Sequence, residues 1–342
     1  MTEADFRSQR RQQFLTLKYF LLNKRELEGA FSQNQKGIEK SAEEPIPDAD
    51  SESQIFKDWL KLLRLNYTAG EPIESLQPLF RNAMVAFEEW HRKYSIYLQK
   101  ISDSIGKPLK TAASPLEFGD LFSFGLAMDL VSLGVLLGEG SSVRQAASLM
   151  ASSRGSDMMF EAVIRPAVTD FRDVEEFFHE EPYGLLVDAI YTADTPQEAS
   201  DFVKRYLDNW YKAFEGVPWH NGHLVVNDEY SNYQGYWAFD AAAVCVIHGI
   251  DDSSFRDHIV YPRDLADWAR AHDVMRHIGP NAGDLSGSGL RCEGGQPCPR
   301  TGYWHTPALE GGRQRFDAGA VMPKYDSDYG ATIWQWDSNQ AG

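Results

Sequence analysis

The sequence predicts a mainly α-helical protein, with a multi-helix, bundle-like body and a C-terminal extension that is rich in glycine and aromatic residues and contains short β segments. Apolar residues recur at helical spacing through most of the chain up to about residue 272. Capping signals precede several of these periodic segments. After Gly279 the good helix formers become scarce, and glycine, proline and aromatic residues take their place.

The first third of the chain alternates helical patterns with one polar stretch. Residues 4–31 place phenylalanine and leucine at helical spacing between basic residues, which predicts an amphipathic helix. Residues 33–53 are polar, acidic and proline-containing, and this composition predicts a mobile loop. Residues 55–65 predict a second helix. Residues 71–104 predict a long third helix that a proline near its start divides or kinks.

Three further helices are expected in the middle of the chain. Ser114–Glu117 offers a serine N-cap, a proline at the first helical position and a glutamate in the first turn, so a helix is expected from there to about Leu137. A shorter helix covers about 141–152. Asp194–Glu198 is a second capped start, and its helix is expected to run to about Phe214.

Residues 235–248 predict the most buried helix of the chain. Their apolar side chains point in nearly every direction, which is typical of a helix that has no face for water. The run is too short to span a membrane, which needs about 20 apolar residues. Because a carboxylate in a core is costly unless it is hydrogen-bonded or paired, we expect Asp240 to tie this helix to another segment. Gly249 is expected to end it.

The last part of the chain is predicted to contain one more helix and then little regular structure. Tyr261–Leu265 leads into a helix that ends near His272. Residues 279–302 are glycine-rich and predict a loop. The segments 316–319 and 331–337 predict short strands.

These patterns divide the chain into three parts. They are an N-terminal helix and acidic loop at 1–53, a helical body at 54–278 and a loop-rich aromatic extension at 279–342. The N-terminus has neither the apolar segment nor the cleavage site of a signal peptide. We therefore expect a cytoplasmic protein.

The charge of the chain limits its partners. The formal net charge is −17 and the pI is about 4.9. This argues against a nucleic-acid-binding protein, which should be basic, and against docking on anionic membranes. It is compatible with a basic protein partner, because opposite fields speed association. Ordinary solubility is the alternative explanation.

About half of this net negative charge lies in residues 155–200, which contain eleven acidic residues and only two arginines. Within them, residues 171–181 predict an amphipathic helix with phenylalanine and valine on one face and an acidic stripe on the other. Like charges at helical spacing destabilise a helix by ~0.2–0.5 kcal/mol per pair. The stripe is either a solvated helix face or a contact for a basic partner. The candidate contact residues are Asp173, Glu175, Glu176, Glu180 and Glu181.

The chemistry of known enzyme motifs is missing from the sequence. We find no phosphate-binding or dinucleotide-binding glycine motif, no nucleophile elbow and no metalloprotease motif. We therefore predict a protein that is not an enzyme, with no catalytic residue, metal or cofactor. Cys245, Cys292 and Cys298 do not form a disulfide framework. A metal site that uses His220 and His223 is the alternative, although the spacing of a structural zinc site is missing.

Three linked blocks, Gly235–Ala243, Ile250–Ser254 and Tyr261–Leu265, resemble the signature of the PoNi-like immunity proteins. These proteins neutralise PoNe-type DNase toxins of bacterial polymorphic toxin and type VI secretion systems. The upstream block Asn66–Ile73 also fits, and the resemblance covers roughly residues 50–272. The tail departs from that family and resembles a C-terminal extension of other predicted immunity proteins that are encoded beside secreted toxins.

The resemblance implies a mostly helical protein that binds a toxin in the cytoplasm of the cell that produces it. A DNase binds phosphates and must be basic near its cleft, so an acidic surface can occlude its active site. The alternatives are a metal-dependent hydrolase that uses His220 and His223, and an adaptor or chaperone for a secreted effector. We assign a structural role to Tyr236, Trp237, Asp240, Tyr261, Pro262 and Asp264.

Overall fold

The computed structural model describes residues 2–41, 49–109, 113–226, 232–280, 282, 291–299, 301–306, 308–309, 312–325 and 332–336. These residues form twelve α-helices and a small antiparallel sheet of four strands, so the predicted fold class, mainly α with short C-terminal β segments, is confirmed. The helices are α1 (Glu3–Gln9), α2 (Leu17–Ser41), α3 (Ala49–Ala69), α4 (Leu76–Ile105), α5 (Leu121–Leu136), α6 (Gly140–Leu149), α7 (Met158–Ile164), α8 (Glu180–Tyr191), α9 (Pro196–Ala213), α10 (Phe239–His248), α11 (Arg263–Ala271) and α12 (Met275–Ile278).

The predicted N-terminal helix is two helices, α1 and α2. They are interrupted at residues 10–16, where the backbone N–H of Arg11 bonds the carbonyl of Thr68, 2.8 Å away in α3. The prediction of a loop over 33–53 is wrong at both ends, because α2 continues to Ser41 and α3 begins at Ala49. Residues 42–48 lie outside the described residues.

The long helix α4 packs along α3 and runs as one helix to Ile105. Pro78 does not divide it, because it lies in the first turn, where the missing N–H has no intrahelical partner in any case. Gly106 ends the helix in the left-handed conformation, with φ 64°. The predicted end of this helix, near residue 104, is right, whereas the predicted start at residue 71 is too early, because a separate 3-10 turn over Ile73–Ser75 precedes the helix.

The helix α5 begins later than the sequence predicts. Ser114–Glu117 forms no helix, and the N-cap is Asp120, whose Oδ1 accepts the N–H of Ser123 at 2.8 Å. The side chain of Ser114 instead accepts the N–H of Leu116, two residues on, at 3.2 Å. That local bond closes a turn before the helix begins.

The helix α10 is buried in the core of the helical body, as the sequence predicts. It starts at Phe239 rather than at residue 235, and it packs against α5, α7, α8 and α11. Gly249 closes it with φ 66°, and its N–H bonds the carbonyl of Cys245. Any residue other than glycine would adopt this left-handed conformation only at a cost in free energy. Glycine is therefore the favoured residue at this helix end.

The C-terminal sheet has the strand order β1-β4-β2-β3. The strands are β1 (Arg291–Glu293), β2 (Gly302–His305), β3 (Arg313–Phe316) and β4 (Ile333–Trp336). Only β4 matches a predicted strand. The strand β3 shares just Phe316 with the segment predicted over 316–319, and β1 lies in the segment predicted as a loop. A separate hydrophobic cluster fills this part of the chain, made of Cys292, Cys298, Trp304, Met322, Trp334 and Trp336. The division of the chain into three parts stays a prediction.

None of the described helices combines the length and the apolarity that a bilayer-crossing segment requires.

Candidate functional site

We define the acidic segment as residues 171–181. The prediction that it forms one amphipathic helix is wrong, because residues 171–179 are not helical and α8 begins only at Glu180. All five predicted contact carboxylates are nevertheless exposed: Asp173, Glu175, Glu176, Glu180 and Glu181. Their role as partner contacts stays a prediction. Because residues 171–179 are not helical, their carboxylates are not stacked at helical spacing, and the repulsion between them that the predicted helix implied does not arise.

One buried carboxylate explains why this segment is not a helix. Asp157, the N-cap of α7, accepts the N–H of Phe160 through Oδ1 at 2.8 Å and the N–H of Phe178 through Oδ2 at 2.9 Å. Burial raises the pKa of Asp157, and both N–H bonds oppose that shift. The Phe178 N–H is therefore used by a long-range bond, so it does not enter a helical ladder.

Two further contacts fix the backbone of the acidic segment. The N–H of Met158 donates to the carbonyl of Glu176 at 2.9 Å. The ring Nε2 of His179 lies 2.8 Å from the carbonyl oxygen of Phe118. Together with the Asp157 bond, these contacts hold three successive parts of the segment against the body while the acidic side chains stay in solvent.

Arg154 holds the start of the segment. Its buried guanidinium donates two bonds to Glu161, at 2.7 and 3.0 Å, in the bidentate geometry that favours arginine. It also donates to the backbone carbonyl of Asp170 at 3.1 Å. Arg172 in turn donates to the carbonyl of Arg154 at 2.6 Å. The acidic segment therefore leaves the body from a fixed point.

Phe178 is a candidate contact residue that the sequence pattern missed. The pattern placed it on the buried face of a helix, whereas 49% of its surface is exposed. It lies between the exposed carboxylates Glu176 and Glu180, next to a backbone that is fixed by hydrogen bonds. The surface therefore combines five carboxylates with one aromatic side chain. No periodicity in the sequence identifies Phe178, because the long-range bond from Asp157 determines its position.

The charge of the acidic segment is not neutralised locally. Within the described part of the chain, none of its five candidate carboxylates forms an ion pair. All five fall within nine consecutive residues and are exposed, so negative charge is concentrated in one short segment of the surface. The segment can therefore attract a positively charged surface.

The residues to which we assigned a structural role lie at contacts between distant parts of the chain. Trp237 donates through Nε1 to Thr68 of α3 at 2.9 Å. Asp264 of α11 pairs at 2.8 Å with Arg11, which lies in residues 10–16 between α1 and α2, the segment we call the N-terminal arm. These contacts span 169 and 253 residues of sequence, respectively. Such bonds position helices relative to one another, which is a structural role rather than a catalytic one.

The other structural candidates are buried in the same region. The hydroxyl of Tyr261 donates to Asp252 at 2.9 Å, and Pro262 directly precedes α11. The hydroxyl of Tyr236 accepts the backbone N–H of His223 at 3.1 Å. Their assignment as framework residues stays a prediction, and it is consistent with these contacts.

Asp240 belongs to a charged cluster inside the helical body. Its Oδ2 accepts a hydrogen bond from the hydroxyl of Tyr206 in α9 at 2.8 Å, so the side chain ties α10 to α9. Burial raises the pKa of Asp240 to about 6. Nearby, Arg64 of α3 forms an ion pair with Asp129 of α5, and burial lowers the pKa of Arg64 to about 10. The cluster joins helices from distant parts of the chain.

The histidines considered as metal ligands already have protein partners. His220 stacks on Tyr211, with ring centroids 4.2 Å apart, and Nδ1 of His223 lies 2.8 Å from the hydroxyl of Tyr236. Among the residues whose positions are described, no three His, Cys, Asp or Glu side chains converge as metal ligands would. Cys292 and Cys298 are buried in the hydrophobic cluster of the C-terminal sheet region.

Comparisons with known proteins agree with the resemblance read from the sequence. Residues 155–265 match the family model of the PoNe immunity proteins (PoNi), C-terminal, which confirms the resemblance to PoNi-like immunity proteins over this part of the chain. The matched residues include the acidic segment and α10. The crystal structure of protein PA2201 from Pseudomonas aeruginosa is similar in fold, with a TM-score of 0.61 and 20% identity over 77% of this chain and 92% of that one. No curated protein matches the chain.

Proposed function

We propose that this chain is an immunity protein that binds a cognate secreted antibacterial toxin, a DNase, and blocks it by covering its active site with the acidic segment. The observation that carries the proposal is the position of five exposed carboxylates on a fixed loop inside the residues that match the PoNi family. The protein acts by stoichiometric binding and not as an enzyme, and it acts in the cytoplasm of the cell that makes the toxin.

A DNase suits this surface because of the charge that its substrate demands. An enzyme that binds the phosphate backbone presents lysine and arginine around its cleft. Carboxylates at the positions of phosphates can occupy such a cleft and exclude DNA. The formal charge of −17 on the whole chain strengthens the attraction at long range.

The two kinds of side chain in the acidic segment have different roles in this proposal. Exposed charges at the rim of an interface mainly set the association rate and its salt dependence. Large apolar side chains that become buried mainly set the dissociation rate. Phe178 is the apolar anchor, because its half-exposed ring loses water on binding and its backbone is already fixed.

The test is co-expression with the product of the neighbouring gene. We expect that product to kill cells when it is expressed alone and to be tolerated when this chain is present. The purified complex should lack DNase activity in vitro. A complex that still cleaves DNA would favour the adaptor or chaperone alternative. Killing without rescue would reject the immunity function for that pair.

A further inference from the structure

A cleft lies between the C-terminal half of α6 and the loop that leads into the acidic segment. We call it the arginine cleft, and its volume is about 500 Å³. Pockets that hold small organic ligands have volumes of about 300–1,000 Å³, so the cleft is large enough for one. Its wall contains three arginines and one carboxylate, and the other lining residues are uncharged. The charged residues are Arg144, Arg154, Asp170 and Arg172.

One of the three arginines is already neutralised by protein carboxylates. Arg154 is buried, donates two bonds to Glu161 and pairs with Asp170, whose Oδ1 lies 3.3 Å from Nη1. Asp170 is therefore held by Arg154. The positive charge that the arginine cleft offers to a ligand is that of Arg144 and Arg172.

Arg144 is held in the cleft by carbonyl groups rather than by an acid. Its Nη1 donates to the carbonyls of Ile278 and Gly279, at 3.1 and 2.8 Å, and its Nη2 donates to that of Ala282 at 3.3 Å. Carbonyl groups carry no net charge, so the charge of the guanidinium is not neutralised by them. A guanidinium has five N–H donors, and these three bonds leave two of them for a ligand.

Arg172 is fixed in a similar way. Its Nη1 donates to the carbonyl of Arg154 at 2.6 Å. Its aliphatic part packs on Gly155, where a Cβ would lie 2.9 Å from Cδ of Arg172. Among the residues that the structure describes, no carboxylate pairs with Arg144 or Arg172. Because both side chains are already positioned, a ligand does not have to immobilise them, which lowers the cost of binding.

The rest of the wall suits a phosphate ester. Ser148 and Thr169 add two exposed hydroxyl groups, which can donate hydrogen bonds to an oxyanion. The apolar part of the wall can contact an uncharged organic group. It consists of Ala147, Ala151, Val168 and Pro280.

We propose that the arginine cleft binds a small organic phosphate, with the phosphoryl oxygens on Arg144 and Arg172 and the organic group against the apolar wall. A phosphate monoester has three terminal oxygens and a charge of about −1.5 to −2 at neutral pH, so it can accept bonds from two arginines at once. A single carboxylate carries one charge and would leave the second arginine without a counter-charge. The formal net charge of −17 repels anions at long range, so the affinity must come from these short contacts. This site is separate from the toxin-binding proposal, and its test uses no toxin.

The test is isothermal titration calorimetry on the full chain at constant ionic strength, with AMP, adenosine and a short polyglutamate peptide as probes. AMP should bind, and the Tm should rise with its concentration, because a ligand that binds only the folded state stabilises it. Adenosine lacks the phosphate and should not bind. No binding of AMP at up to ~10 mM, about ten times the Kd of a weak site, would overturn the proposal. Equal binding of AMP and adenosine would also overturn it. Binding of the peptide but not of AMP would assign the cleft to an acidic segment of a protein instead.

Two variants locate the binding site. Arg172→Gln removes one of the two guanidinium groups at an exposed position, and it should weaken AMP binding about tenfold or more. Ser148→Glu keeps both arginines and places a negative charge in the cleft, so it should weaken AMP binding as well. The matched control is Arg25→Gln in α2, which changes the charge equally at an exposed position outside the arginine cleft and should leave the affinity unaltered. An affinity that is unchanged in both cleft variants would show that AMP binds elsewhere, and the assignment of the arginine cleft would be wrong.

Discussion

The hydroxyl of Tyr206 donates a hydrogen bond to Oδ2 of Asp240 at 2.8 Å, and this pair joins α9 to α10 inside the helical body. Both side chains are buried. The bond favours the ionised form of Asp240, whereas burial opposes it more strongly, so the pKa of the carboxyl rises to about 6. The core of this acidic protein therefore contains a group that titrates close to neutral pH.

We predict that Asp240 makes the stability of the protein depend on pH. Between its ordinary value, 3.8, and the folded pKa of about 6, the folded chain binds more protons than the unfolded chain. Stability contributed by this group therefore falls as pH rises through that window. A difference of two pKa units corresponds to on the order of 3 kcal/mol. About half of this, roughly 1.4 kcal/mol, develops between pH 5 and pH 7.5. Asn at this position cannot titrate, so the Tm of the wild type minus that of Asp240→Asn should be about 2 °C larger at pH 5 than at pH 7.5.

Comparing the two proteins at each pH removes the contribution of the other titrating groups. The matched control is Asp103→Asn, which changes an exposed carboxylate near the end of α4. Its Tm difference from wild type should stay constant over the same range. A Tm difference for Asp240→Asn that does not change with pH would show that the buried carboxyl is not the titrating group.

The parts of the fold that the sequence predicted are those decided by local chemistry. The buried helix α10 followed from its all-round apolar pattern, and its end followed from Gly249. The start of α9 followed from Thr195, whose Oγ1 accepts the N–H of Glu198 at 3.2 Å. Each of these signals acts within one turn of the chain, so it can be read from the sequence alone.

The parts that the sequence mispredicted depend on distant contacts. The helix expected over 171–181 does not form, because Asp157 binds the N–H of Phe178 across 21 residues. The break between α1 and α2 depends on bonds from Arg11 and Gln12 to segments more than 50 residues away. For the candidate site, the acidic residues could be chosen from composition, but the exposure of Phe178 could not. None of these long-range bonds produces a periodic pattern in the sequence.

Two glycines in helices should respond in opposite ways to alanine. A Cβ at Gly29 in α2 would have no atom within 4 Å, so Gly29→Ala should stabilise the protein by about 0.5–1 kcal/mol through helix propensity. A Cβ at Gly134 in α5 would lie 2.6 Å from Val143 Cγ2 and 3.1 Å from the ring of Phe80. Overpacking of that kind costs about 1–3 kcal/mol, so Gly134→Ala should destabilise the protein. Denaturant unfolding measures both, and equal shifts for the two variants would contradict this account of the core.

Charge reversal in the acidic segment should slow toxin binding. Asp173, Glu176 and Glu180 are exposed, so changing all three to Lys should leave the fold intact. We expect association with the toxin to slow about tenfold or more at low salt, and its dependence on ionic strength to weaken. Stopped-flow or surface-binding kinetics at several salt concentrations measure both effects.

The control for that experiment must change the net charge by the same amount elsewhere. Glu26, Asp103 and Glu215 are exposed residues outside the acidic segment, and the triple change to Lys serves this purpose. It should reduce the association rate much less. Equal slowing by both triple variants would assign the effect to the overall charge of the chain rather than to the acidic segment.

The exposed ring of Phe178 in the acidic segment should slow dissociation of the complex with the toxin. Phe178→Ala removes a side chain that is 49% exposed, so little stability is lost. If the ring is buried by the toxin, dissociation should accelerate by about tenfold or more with little change in association rate. Leu21→Ala changes a side chain of similar exposure, 50%, far away in sequence and should leave dissociation unaltered. Unchanged dissociation for Phe178→Ala would remove the anchor from the proposed interface.

The N-terminal arm should be essential for stability through Gln12. The buried amide donates to the carbonyls of Tyr236 and Ile259, at 2.6 and 2.8 Å, and accepts the hydroxyl of Tyr233 at 2.6 Å and the N–H of Tyr236 at 2.9 Å. Removing it leaves several buried polar groups without these partners, and each such group costs about 1–3 kcal/mol. Gln12→Ala should therefore lower the free energy of unfolding by about 3 kcal/mol or more. The neighbouring exposed residue supplies the control, and Gln13→Ala should change the free energy by less than about 0.5 kcal/mol. If both variants unfold at the same denaturant concentration as the wild type, the arm does not hold the body together through Gln12.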